Sequence, residues 1–104
     1  MKELVLIKKP EDWDEAVPYA ARRIKEGETV ILIVDEGVRR CVRCEPELFK
    51  VLHQFILDGG RALVCLKSLK EHGIPASRPP DVLERVEDGR AFIKENSGYR
   101  ITTF

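Results

Sequence analysis

Cys65 closes a short apolar run, residues 61–66, and is followed by a polar turn and Gly73. A thiol is a side chain that can act as nucleophile or leaving group toward another sulfur, provided it ionises. At an unperturbed pKa of about 8.5, roughly 3% is thiolate at pH 7. Ser68 reads as the cap of a short helix just beyond, whose unpaired N–H groups and dipole favour the anion. Lys67 and Lys70 add positive charge. A side chain at the carboxyl end of a parallel strand escapes the sheet and is open to a partner, whereas one in mid-strand only packs. A second reading stands beside this one: cysteine as a small hydrophobe completing a buried strand.

Cys41-Val42-Arg43-Cys44 is a single Cys-x-x-Cys pair. It precedes a helix that begins at Glu45-Pro46, on the same sheet edge as Cys65. Arg39, Arg40 and Arg43 surround both sulfurs and favour thiolate. Three readings are open. The pair can be a redox dithiol that releases sulfur from Cys65 or forms an internal disulfide. It can give two ligands to zinc, with Cys65 and either His53 or His72 completing the set. Or both are ordinary loop residues. Zinc usually asks for a second Cys-x-x-Cys or a His pair, which this sequence lacks. His72 follows Cys65 by one short helix and reads as an acid or base, or as a helix-end cation facing water. Asp35 and Glu36 either orient a partner's cation or make a turn. His53 flanks an apolar helical stripe with Phe49 and Leu57, at a packing boundary or an interface, and Trp13 fits a helix core.

The elements that position these residues follow from periodicity. Residues 4–7 form a continuous apolar run, as in a strand buried on both faces. Trp13, Ala16, Val17, Ala20, Ala21 and Ile24 recur at helical spacing before Gly27. With Asp14 as N-cap, Pro18 falls in the first turn, where its missing N–H has no partner to lose. Residues 29–34 are the strongest strand, ending in the Asp35-Glu36-Gly37 turn. A helix follows with Pro46 at its first position and a stripe of Leu48, Val51, Leu52, Phe55 and Ile56, stopped by Gly59-Gly60. After the strand at residues 61–66 come the Ser68-capped helix and an irregular segment, residues 74–81, with three prolines. A weaker strand at residues 82–86, a helix from the Asp88 cap through Glu95, and a strand over residues 99–104 complete the chain. The order βαβαβαβαβ predicts a three-layer α/β/α fold with a five-stranded parallel sheet and right-handed crossovers.

Two stretches resemble the DsrE/DsrF/DsrH-like sulfur-relay proteins, which include the Tus sulfurtransferase subunits. Residues 24–38 carry a Gly27-Glu28 turn, an apolar strand and an Asp35-Glu36-Gly37-Val38 exit, similar to the H-type pattern. Residues 63–74 resemble the E-type active segment, in which a cysteine ends a strand and a Gly-apolar pair, here Gly73-Ile74, follows. The resemblance runs from Ile24 to Phe104 and mixes E-type and H-type features. It implies a five-stranded parallel sheet, homo- or hetero-oligomeric assembly, and a persulfide carried on Cys65. Cys41 and Cys44 would then be auxiliary or resolving thiols, with sulfur donor and acceptor proteins as partners. The alternatives are a non-catalytic subunit of such an oligomer and a small metal-binding module that uses the three cysteines.

Length and composition bound these readings. At 104 residues the chain suits one domain, spanning residues 1–104. Such a chain buries roughly 65% of its unfolded surface, enough for a core without disulfide or metal. Lys+Arg and Asp+Glu are equal at 18 each, which argues against nucleic acid as partner, since phosphate binding needs a basic excess. Charged residues make up 35%, and this with few Asn and Gln suits a thermophile. No leader or membrane span is visible, and an odd cysteine count fits a reducing compartment, so a cytoplasmic protein is expected. Gly37 stands alone and Gly59-Gly60 precedes a strand, so a phosphate-cradling loop is lacking and no cofactor is expected. Neither a Gly-x-Ser-x-Gly elbow nor a His-Glu-x-x-His helix occurs, which argues against a conventional hydrolase or dehydrogenase; a sulfurtransferase is what the resemblance implies.

Overall fold

Apolar, β-branched runs build the centre of the molecule. The computed structural model describes residues 2–43 and 45–104. It sets strands β1 (Lys2–Ile7), β2 (Glu28–Ile33) and β3 (Arg61–Cys65) side by side, with β4 (Glu84–Val86) and β5 (Arg100–Thr103) at the edges. The order is β4-β3-β2-β1-β5, and every pairing is parallel. All residues of β1 and β2 but the first are buried, as expected of parallel strands covered on both faces.

The helices are α1 (Trp13–Arg23), α2 (Pro46–Leu57), α3 (Leu66–Glu71) and α4 (Gly89–Glu95). Right-handed crossovers that step from β1 to β4 in one direction lay α1, α2 and α3 on one face, and the return from β4 to β5 lays α4 on the other. The core is divided accordingly. Val5, Ile7, Ile31, Ile33 and Val64 pack with Trp13, Leu52, Phe55 and Leu69. Leu4, Leu6, Leu32, Leu63 and Cys65 face the other way, toward Phe92 and Ile93 of α4. This is the expected α/β/α architecture with unequal outer layers. Among the described residues no helix is long and apolar enough to cross a membrane.

Local details depart from the expectations. Helix α1 starts directly after Asp12 rather than Asp14, because a 3₁₀ turn at Pro10–Asp12 leads straight into it, and the Asp12 side chain makes no capping bond. Pro18 therefore lies inside the helix, where it forgoes one hydrogen bond. Trp13 holds the start in place: it is buried, and its indole N–H donates to the Gly37 carbonyl at 2.9 Å. The turn after β2 extends into a 3₁₀ helix, Asp35–Val42. Its Gly37 is pressed against β1, where a Cβ would lie 2.6 Å from the Ile7 carbonyl oxygen. Strand β4 is shorter than residues 82–86, and the proline-rich segment before it is held by one side chain. The Arg85 guanidinium donates to the carbonyls of Ala76, Pro79, Pro80 and Leu83 at 2.5–3.0 Å.

Glu3 ties the other edge together. Its carboxylate is 2% exposed and accepts from Thr102 on β5 at 2.6 Å, from Arg23 on α1 at 2.7 Å, and from the Tyr19 hydroxyl. Burial alone would push this carboxyl up, but the bonds from Thr102, Tyr19 and Arg23, with the Arg23 charge, outweigh it and hold it below the usual range. At the opposite edge the fork of Arg61 on Glu84, 2.9 and 3.0 Å, depresses the Glu84 carboxyl in the same direction.

A carboxyl depressed in the folded state adds stability that is complete above its unfolded pKa, about 4.3, and is lost as pH falls through the lower folded value. Thermal midpoints should thus be flat near neutrality and drop below about pH 4. Glu3→Gln should cost about 1–3 kcal/mol at pH 7 and shrink the difference in stability between pH 7 and pH 3, as measured by urea titration at the two pH values.

Candidate functional site

The site is built where β2 and β3 end. Val34 leaves β2 in extended conformation and Asp35 turns into the left-handed region at φ 52°, a conformation that Asp tolerates better than most residues. Strand β3 passes into α3 with no intervening turn. Cys65 is consequently the N-cap of α3, and Ser68 is its third helical residue rather than the cap expected from sequence. A cysteine sulfur does here what Ser, Thr or Asp oxygens do at most N-caps: it accepts from the backbone N–H of the third residue, Ser68, at 3.4 Å.

A second donor reaches the same sulfur from another element. The N–H of Gly89, first residue of α4, points at Cys65 Sγ from 3.3 Å. Only glycine fits there. A Cβ on residue 89 would lie 2.6 Å from Val34 Cγ1 and 3.6 Å from the Cys65 Cβ. Asp88 caps α4 by accepting from the Arg90 N–H at 3.0 Å, as its sequence position predicts. Ser68 joins the two halves of the site, because its hydroxyl oxygen accepts from the Asp35 N–H at 2.9 Å. Arg90 lies 4.0 Å from the Asp35 carboxylate on the surface above.

Cys65 therefore stands at the strand end, but it is not open. It is 3% exposed, and it belongs to the core on the α4 face. Its expected exposure fails because the connection from β4 returns over the rim and sets Gly89 on the sulfur.

The structure brings together Cys65, Ser68 and Asp35, and adds Gly89, Asp88 and Arg90. Cys41 is at the same sheet edge but packs into the core of the other face, with α1 and α2. Cys44 lies outside the described residues. Arg40 is directed to α1 and its approach, with its guanidinium on the Asp14 carboxylate at 2.8 and 3.1 Å and on the Pro10 carbonyl at 2.9 Å. It also reaches Glu45 at 3.3 Å. Arg39 and Arg43 are exposed to solvent. His72 is the C-cap of α3, about 10 Å along the helix from the Cys65 end. Its position is that of a helix-end residue. Glu36 is exposed in the 3₁₀ segment, and His53 stacks loosely on Phe49 with ring centres 6.3 Å apart. Among the described residues, no three His, Cys, Asp or Glu side chains are grouped to hold a metal ion.

Gly89 was the residue that periodicity missed. A signal existed: glycine is a poor helix former, and one placed directly after an Asp cap marks a close approach of backbone to something else.

No protein-family model matches the chain, and no curated protein does. Solved structures do. The chain is similar to a protein of unknown function, MTH1491 from Methanobacterium thermoautotrophicum, with a TM-score of 0.79 at 13% identity over the whole of both chains. It is similar to the ychN protein of E. coli with a TM-score of 0.77 at 14% identity, again over the whole of both. A conserved protein of unknown function from Bacteroides thetaiotaomicron, BT1422, matches with a TM-score of 0.74 at 12% identity, over 99% of this chain and 95% of that one. At such identities the likeness is one of fold. It is compatible with the DsrE-like architecture that residues 24–38 and 63–74 imply.

Ser68→Ala removes the acceptor of the Asp35 N–H and leaves the backbone donor to Cys65 in place. We expect a loss of about 1–2 kcal/mol in urea unfolding, with the fold otherwise retained.

Proposed function

We propose that this protein is a sulfur-relay protein that carries a persulfide on Cys65. The observation that supports it best is the convergence of two backbone N–H groups, from Ser68 and Gly89, on one strand-end sulfur. Paired N–H donors form a concave site for negative charge, and a sulfur that alternates between thiolate and persulfide needs such a place. Resemblance in residues 63–74 and compatibility of fold point the same way.

The step is an exchange at sulfur. The Cys65 thiolate attacks the outer sulfur of a donor persulfide, R–S–SH, forming a new S–S bond as the old one breaks. The donor leaves as R–S⁻ and Cys65 becomes Cys–S–SH. Attack by an acceptor thiolate on that outer sulfur reverses the process and returns Cys65 to thiolate. No external oxidant or metal enters. In this reading the partners are a sulfur donor and a sulfur acceptor protein, the setting is a reducing cytoplasm, and Cys41, directed into the opposite core, has no part in transfer.

A second reading has an observation of its own. The 3% exposure of Cys65 and its place in the core suit a structural residue of a non-catalytic subunit that assembles with others of its kind. One experiment separates the two. Reduced protein is incubated with a persulfide donor and its intact mass is read, alongside Cys65→Ser. The relay reading expects the mass of one added sulfur in the native protein and none in the variant. Absence of a gain in the native protein, or an equal gain in both, refutes it and leaves the structural subunit.

A further inference from the structure

A reactive sulfur beneath a backbone connection needs a way in, and the packing around residues 87–89 shows one. This segment leaves β4, which has only three residues and lies at the sheet edge. Glu87 and Asp88 separate two open cavities. One, about 360 Å³, is lined by Leu66, Lys67, Lys70, Glu87 and Asp88. The other, about 290 Å³, has Val86, Ala91, Phe92 and Glu95 on its far wall. The segment thus has solvent space on both sides and protein only beneath it. Outside α4 its ties are the Lys67 N–H on the Glu87 carbonyl at 3.2 Å and the Gly89 N–H on Cys65, while Asp88 accepts from the Arg90 and Phe92 N–H groups of α4 itself at 3.0 Å; beside the segment, Arg90 pairs with Asp35 at 4.0 Å, with side chains 81% and 42% exposed. Of the residues in α4, only Gly89 is fully buried. Short edge elements with few buried contacts open far more readily than the core they cover.

We propose that residues 87–89 are a strap over Cys65, and that chemistry at this sulfur passes through the form in which the strap has lifted. The charges give the open form a preference. Closed, the larger cavity sets Lys67 and Lys70 against Glu87 and Asp88. Lifting carries the two carboxylates away and leaves the two lysines at the mouth beside Leu66. The open entrance is selective for a sulfur donor that presents its R–S–SH group beside negative charge, such as a persulfide on an acidic partner surface, over an uncharged donor. This inference deepens the relay reading and rests on it for its purpose, but the motion is measurable without sulfur transfer.

Cys65 alkylation by iodoacetamide, followed by peptide mass spectrometry on the reduced full chain, should run at least about tenfold slower than in urea-unfolded chain after correction for the denaturant. The Gly89 amide should show the same slowing in native-state hydrogen exchange, and both should depend little on low urea, since a strap exposes little surface. Arg90→Ala, which loosens the surface tie, should raise the alkylation rate about two- to fivefold without lowering the thermal midpoint appreciably. At low salt, negatively charged iodoacetate should gain on iodoacetamide relative to a short unstructured cysteine peptide, and Lys67→Gln with Lys70→Gln should abolish the gain. Alkylation with the steep urea dependence of global unfolding, or no slowing at all, overturns the strap; an iodoacetate ratio no higher than the peptide's overturns the charge selection. Gated alkylation without any persulfide would refute the relay and spare the strap, and ungated alkylation with a persulfide would do the reverse.

Discussion

The pleat of β3 decides what Cys65 can be. Side chains alternate across a strand, so when Val64 faces α1, α2 and α3, Cys65 must face α4. The parallel register of β2 and β3 fixes that choice, pairing Ile33 with Val64 on the helix-rich face. A slip of one residue would turn every side chain of β3 over and bring Cys65 to the side where Cys41 lies. Two sulfurs that share an edge of the sheet are kept apart by the sheet itself. This single geometrical fact sets Cys41 and Cys65 in the two different cores, and gives Cys65 a backbone neighbour at its sulfur.

The unequal layers have the same origin. Three crossovers in one direction place three helices together, and the single return leaves the second face to α4 and the connections at its ends. The thinner side is the one onto which Cys65 projects. Burial of a thiol under a seven-residue helix differs from burial under two long ones, because fewer contacts cover it, and regions with few buried contacts have the lower free energies of local opening. Val34, Gly89 and Cys65 pack so closely that contact at the rim is tight while the ground around it is open.

Much of this was legible in the chain. The apolar runs at β1, β2 and β3, the Glu45-Pro46 helix start, the Asp88 cap and the position of Cys65 at a strand end all follow from local rules, and the local rules agreed with the tertiary packing. The failures share a cause. Whether Cys65 is covered depends on Gly89, a residue 24 positions away, and nothing in residues 61–73 reports that approach. Ser68 looked like a cap because Ser commonly is one; the strand runs directly into the helix, and the cysteine took the cap position instead. Arg40, next to Cys41 in the chain, also binds the Asp14 carboxylate on α1, a partner 26 positions away that local spacing does not report. Side chains that act across the fold were the hardest to read. Arg85 and Glu3 are further cases, each joining segments that local periodicity treats as separate.

Glu3 and Thr102 meet across 99 positions of chain, through the pairing of β1 with β5. Contacts of such long sequence separation form late, since loop closure must precede them. Until β5 docks, β1 is an outer strand of a growing sheet, its hydrogen-bonding groups bare and five successive residues of its length strongly apolar or destined for burial. Lys2 at one end and Lys8-Lys9 at the other bracket this stretch with exposed positive charge. Exposed charge at the ends of an apolar strand disfavours edge-to-edge association of two chains.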